Sequence, residues 1–287
     1  MTINHQPSTI SFRAAASAAI LVLLLGASFL SPWIAPYAEE AQSLRDQYQP
    51  PSLRHWMGTD IKGRDVLSRV LYGGRISFAV GFAATAVSLV IGLTYGAIAG
   101  YAGGRTDNLM MRFVDLLYGL PYMFVVILVL AIVGRNLSPQ HRLWVLFAAL
   151  GAVQWLTMSR IVRGQVLSLK QREFVEAARA LGAGPGRILF LHIVPNLLGP
   201  VIVYATLTVP AVMLQEAFLS FLGLGTQPPQ ASWGSLLADG AAAVNPVRIY
   251  WWLILGPGAA IALTLFCLNT LGEGLRDALD PQARRHG

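Results

Sequence analysis

What most constrains this chain is a series of apolar, almost uncharged stretches. Each approaches or exceeds the roughly 20 residues that carry a helix across a bilayer. They fall at about residues 14–34, 76–101, 116–134, 143–159, 198–222 and 249–271. Lipid offers no water to a backbone amide, so stretches of this kind resolve as helices with all their hydrogen bonds made internally. Composition agrees. Of the 287 residues 55% are hydrophobic and 12% charged, with a mean hydropathy of +0.55; a soluble domain carries about 25% charged residues. The first stretch is long for a signal sequence and no small-x-small cleavage site ends it. The expectation is an all-α, polytopic membrane protein with six transmembrane helices.

Charge narrows the class further. The net charge of +7 rests almost entirely on arginine, Lys62 and Lys170 being the only lysines. In a chain of this kind, arginines flanking spans orient them and meet anionic lipid, which makes membrane lipid the expected partner and nucleic acid not one. Six spans leave both termini on one side. Arg105, Arg112, the arginines of 160–187 and Arg276 favour the cytoplasm for that side, against a first loop of mixed sign. The single cysteine, Cys267, lies in an apolar run and excludes an internal disulfide. Histidines are scattered without ligand spacing, so no metal or cofactor is expected. No G-x-x-x-x-G-K-[ST], H-E-x-x-H or G-x-S-x-G occurs. A non-catalytic subunit is therefore expected, drawing energy from another polypeptide or from an ion gradient.

Several features inside the spans carry structural information. Gly92, Gly96 and Gly100 form a stripe at four-residue spacing that lets a second helix approach closely, either in the same bundle or from a second subunit. Pro121, Pro195, Pro200, Pro210 and the Gly256-Pro257-Gly258 sequence are expected to break or bend helices. Asp115 is read at the opening of the third helix, where its charge suits a helix N-terminus. Glu216, late in the fifth, is a candidate to line a translocation path or to pair with a neighbour's arginine.

Between the fourth and fifth spans lies a polar insertion, REFVEAARALGAGPGRILFLHIVPN, at residues 172–196. Phe174, Ala177, Ala178 and Leu181 fall at i, i+3, i+4 and i+7, one apolar face of a helix over 172–181. Ten residues make a rod about 15 Å long. Gly182 suits the left-handed stop of that helix and Pro185 the first turn of the next. This is a short rigid element held by a tight turn, not a slack connector.

Glu176-Ala177-Ala178, then Gly182, then Pro195 resembles the EAA signature of the membrane subunits of ABC importers, with His192 where isoleucine is frequent. HWMGTDIKGRDVLSRVLYGGRISF (55–78), FLSFLGLGTQPPQASWGSLLADG (218–240, with Ala231 where proline is frequent) and TLFCLNTLGEGLRDALDP (264–281) are similar, in that order, to blocks of the oligopeptide, dipeptide and nickel permeases of the C-subunit type. The last two look most like the oligopeptide branch. The resemblance implies a type I ABC importer permease fold in the bacterial inner membrane, with both termini cytoplasmic. Residues 1–35 would hold the N-terminus and first span, 36–75 an extracytoplasmic loop, 76–272 a five-helix core with a cytoplasmic coupling loop at 160–197, and 273–287 a cytoplasmic tail. It implies a second homologous permease, two ATP-binding subunits, an extracytoplasmic binding protein and a peptide substrate as partners. It also implies that Glu176, Ala177, Ala178 and Gly182 dock the ATPases. Nickel, glutathione or another small solute is the alternative cargo, and a gradient-driven secondary transporter is the alternative class. Within the 55–78 block, residues 66–72 can also be read as an amphipathic interfacial helix.

Overall fold

The computed structural model describes residues 9–245 and 247–279. Expectations for residues 1–8 and for the tail beyond 279, Pro281 included, lie outside them. Among the described residues the chain is helical without strands, apart from one isolated antiparallel bridge between Thr59 and Asp65. Helix α1 (Thr9–Phe29) is followed by the single turn α2 (Ser31–Ile34) and an irregular segment. Then come α3 (Val66–Ala102), α4 (Gly104–Tyr118), α5 (Tyr122–Val133), α6 (Pro139–Leu169) and α7 (Glu173–Ala180). The turn α8 (Pro185–Arg187) and a π-helical turn (Ile188–Ile193) lead into α9 (Val194–Phe221), α10 (Trp233–Ala242) and α11 (Trp252–Leu279). Five of these runs are long and apolar enough to cross a membrane; α4 and α5, bent by 76° to one another, make a sixth if taken as one broken span.

Differences from the sequence expectation have identifiable causes. The second helix starts at Val66, not near 76, because the Asp65 carboxylate accepts the Ser68 amide (2.8 Å) and caps it there. Residues 66–72 are thus the first turns of a long span and not a separate interfacial helix. The third expected helix is two helices. Pro121 disfavours helical backbone at the residue before it, so the chain breaks at Gly119-Leu120-Pro121. Asp115 therefore lies in the last turn of α4, not at a helix start; its carboxylate is held by Arg160 at 2.6 Å. Pro200, Pro210 and Pro257, by contrast, sit within continuous helices. Helix α10 was not foreseen. Its signal is a capping box in which Ser232 accepts the Ser235 amide (3.1 Å) and the Ser235 hydroxyl accepts the Ser232 amide (2.9 Å).

Helix α3 is the centre of the bundle, packed along α6 and α9 and against α1. The glycine stripe makes the α3–α6 contact. A Cβ at Gly92 would lie 2.5 Å from the Met158 side chain, one at Gly96 would collide with the Ser159 carbonyl, and one at Gly100 would lie 2.9 Å from the Arg163 carbonyl. Of the two partners the stripe could have served, it serves its own chain. The facing residues Met158, Val162 and Val166 are fully buried. Gly96→Val is expected to force the two backbones apart and to cost about 1–3 kcal/mol, the usual range for overpacking. Thermal unfolding in detergent should show a lowered Tm, whereas Gly26→Val, with open space around it, should not.

Candidate functional site

At one end of the bundle the chain leaves α6, makes the rod α7 and returns. Arg172 is extended (φ −83°, ψ 148°) and opens α7. Glu173 and Glu176 occupy the first turn and Arg179 the last, each sign matching the helix dipole. The stop is a Schellman motif: the Ala183 amide donates to the Ala178 carbonyl and the Gly182 amide to the Arg179 carbonyl, both at 3.0 Å. Gly182 takes φ +80°, the left-handed value expected of it, and Pro185 sits at the start of α8.

The rod's two faces differ from the expected single apolar stripe. Val175 and Ala178 turn inward and are buried among Val162 and Val166 of α6 and Ile188, Leu189 and Ile193 of the return segment. Phe174, Ala177 and Leu181 face away from the bundle, Leu181 being 88% exposed, and Glu176 is exposed beside them. One apolar set therefore anchors the rod and a second is free. Lys170, just before the rod, donates to the Gly100 and Tyr101 carbonyls at the end of α3 (3.2 Å each), and Arg163 pairs with Asp107 through two contacts at 2.5 and 2.7 Å. The first tie holds the rod's base against the central helix α3 and the second joins α6 to α4.

At the other end, the 55–78 block is a packed cap. Asp60 Oδ1 accepts the Lys62 and Arg64 amides (2.8 and 3.0 Å), while Oδ2 accepts from Arg64 Nε at 2.7 Å and Arg69 at 2.8 Å. Asp239 of α10 reaches Arg69 at 3.2 Å, and His55 Nδ1 lies 2.9 Å from Asp65 Oδ1. Gly58 and Gly63 take positive φ (70° and 68°), and a side chain at Gly58 would meet Gln49 and Trp252. The Trp252 indole donates to the Thr59 carbonyl (3.2 Å) and Trp233 to that of Val70 (2.7 Å), so α10 and α11 close over the segment. Burial pushes the nearby Glu39 carboxyl above the ordinary carboxylate range, opposed by Arg69 and Arg75.

Glu216 lies within the chain, 1% exposed. Its Oε1 accepts from Ser220 (2.6 Å), Ser232 (2.7 Å) and Thr226 (3.4 Å), pinning α9 to the approach of α10. The adjacent Gln215 is only half-buried and lines a cavity on the other side of α9. Sequence reading singled out the charge and passed over the amide beside it, for which composition provides no signal.

This arrangement of long helices, broken span and end rod is that of an ABC importer membrane subunit. A solved structure titled "Inward facing conformations of the MetNI methionine ABC transporter" matches at a TM-score of 0.58 and 17% identity, over 75% of this chain and 97% of the matched chain. At that identity the likeness speaks for the fold alone. The model of the family described as "Binding-protein-dependent transport system inner membrane component" matches residues 92–285, and that of the "N-terminal TM domain of oligopeptide transport permease C" matches residues 13–51. The chain belongs to this family of inner membrane transport components. Among its relatives, the oligopeptide transport system permease protein OppC of Haemophilus influenzae is 48% identical over 94% of this chain and 85% of its own length. OppC of Escherichia coli K12 is 48% identical over 94% and 88%. The dipeptide transport system permease protein DppC of Bacillus subtilis is 46% identical over 93% and 81%. The resemblance read from the four sequence blocks is thereby borne out.

Asp60→Ala would leave the buried Arg64 and Arg69 facing only Asp239, and breaking a buried pair in this way is expected to cost about 3 kcal/mol or more. A fall in Tm of the purified protein, absent in an Arg54→Ala control, is the measurement.

Proposed function

We propose that the chain is one of two membrane subunits of an ATP-driven importer of peptides, joined to a second homologous permease. An extracytoplasmic binding protein delivers the peptide and two ATP-binding subunits dock on the coupling loop at 160–197. Both termini face the cytoplasm, with residues 273–287 as a tail there, 36–75 as the outer segment and 76–272 as the core. The observation that carries this reading is the free face of α7. Phe174, Ala177 and Leu181 point away from the bundle on a rod whose other face is anchored and whose end is set by Gly182. An apolar face left outside its own bundle, on an element this firmly held, suits a partner that pushes on it. Glu176 contributes charge at the rim of that face and Ala177 the close approach; Ala178 and Gly182 keep the rod in place. The names of the oligopeptide and dipeptide relatives support peptide as cargo. Glu216 contributes to the path from behind, holding α9 where Gln215 meets the cavity.

Two substitutions separate contact from support. Ala177→Arg places a bulky charge on the free face without touching the anchored one. Gly182→Val adds about 1–2 kcal/mol of strain or more at its left-handed backbone. Each is expected to lower ATP-dependent tri-alanine uptake by about tenfold, equal to about 1.4 kcal/mol of coupling. Membrane insertion should stay normal, and the ATPases should co-purify poorly with the arginine variant. Normal uptake and assembly in both would sink the docking role. Uptake by vesicles that survives ATP depletion but collapses with the proton gradient would instead make the chain a secondary transporter.

A further inference from the structure

Most of the bundle's outer surface suits lipid. Val22 and Leu23 on α1 and Val90 and Ile98 on α3 are exposed. Hydroxyls on such surfaces are returned to their own helix: Thr94, Thr206 and Thr270 donate to the carbonyls four residues earlier at 2.7, 2.9 and 2.9 Å. One face departs from this pattern. At the middle of the span His141–Leu169, Gln154 and Thr157, both half-buried, lie one turn apart on α6, and the exposed Gln165 lies about two turns further along. With Gln215 of α9 and Tyr118 and Tyr122 at the α4–α5 break, Gln154 and Thr157 line a cavity of about 140 Å³. Gln215 Oε1 is buried there and has no hydrogen-bond partner among the described residues.

Further along the same face of α6, a second cavity of about 760 Å³ is lined by Gln165, Asn196 and Tyr204. In the wall of the first cavity, the Tyr118 hydroxyl pairs with that of Thr157, and the Arg160 guanidinium lies 4.0 Å from the centre of the Tyr118 ring. Unpartnered amides at this depth are costly against hydrocarbon and tolerated against water or a polar ligand. A glutamine amide offers one acceptor and two donors with no charge, the complement of a peptide unit. It can bind a main chain whatever the charge of the side chains.

We propose that Gln154, Thr157 and Gln215 form a binding site for the main-chain amides of the translocated peptide, on a wet path that runs down α6 to the larger cavity. This rests on the peptide-importer reading and names the residues that meet the cargo.

The test uses the assembled importer in membrane vesicles, with the sole cysteine removed by Cys267→Ala and single cysteines introduced as Gln154→Cys, Thr157→Cys and Gln215→Cys. Leu23→Cys on α1 is the lipid-facing control. A charged methanethiosulfonate reacts only with a hydrated thiolate, so the three path cysteines are expected to react at least about tenfold faster than Leu23→Cys. Saturating tri-alanine should slow all three. Reaction no faster than the control, as when lipid or the second permease seals the face, overturns the proposal, and so does reactivity that tri-alanine leaves unchanged. Tri-alanine uptake by the unaltered importer is read in parallel. Its absence would remove the peptide reading itself, a failure distinct from normal uptake with unreactive thiols.

Discussion

The contact between α3 and α6 organises the molecule. Three glycines one turn apart remove the side chains that would hold two helices at ordinary distance, so the α3 backbone lies against Met158, Ser159, Val162 and Val166. In lipid there is little hydrophobic gain from bringing helices together, and close packing of this kind supplies the attraction instead. Once one face of α6 is committed to α3, its opposite face must look outward. That face carries the exposed Arg160, and the half-buried Gln154 and Thr157 lie on the flank between it and the α3 contact. The same commitment brings the end of α6 beside the end of α3, where Lys170 occupies two of the carbonyls that a helix leaves unpaired.

The two ends of the bundle are built by different physics. The cap holds its charges inside: Asp60, Arg64 and Arg69 are all nearly buried, and each is tolerated because the others satisfy it. Glycines with positive φ and a tryptophan lid leave it little freedom. The opposite end is a small rod on a hydrophobic footing, with hydrogen bonds closing its last turn and apolar side chains outside. Between them lie a broken span, helices that run through prolines, and cavities along one polar face. The bundle thus has a stiff cap at one end, a rod with a free apolar face at the other and helix breaks between them.

How much was legible depended on the range of each cause. Span positions, the Gly182 stop, the Pro185 restart and the family came from the chain itself, because apolar length, left-handed backbone and motif order are local properties. Boundaries moved where a cap acted, as Asp65 did for α3, and a span split where Pro121 outweighed apolarity. The apolar face of α7 was found but assigned as one surface. Periodicity places Phe174, Ala177 and Ala178 on one side, yet only the position of α6 and of the return segment decides that Ala178 is covered while its neighbours are not.

The sequence by itself therefore determined that this is a helical membrane protein with a short polar rod between two spans, since apolar stretches of about 20 residues match the bilayer as helices that satisfy their own backbone. Only the tertiary structure decided which partner the glycine stripe takes, which way Glu216 and Gln215 turn, and how the acids and arginines of the cap pair. Several of those outcomes depend on residues remote in sequence, 170 positions apart in the Arg69–Asp239 contact and 193 in the Trp252–Thr59 contact. Helical periodicity states which side chains share a face. It does not state what that face meets.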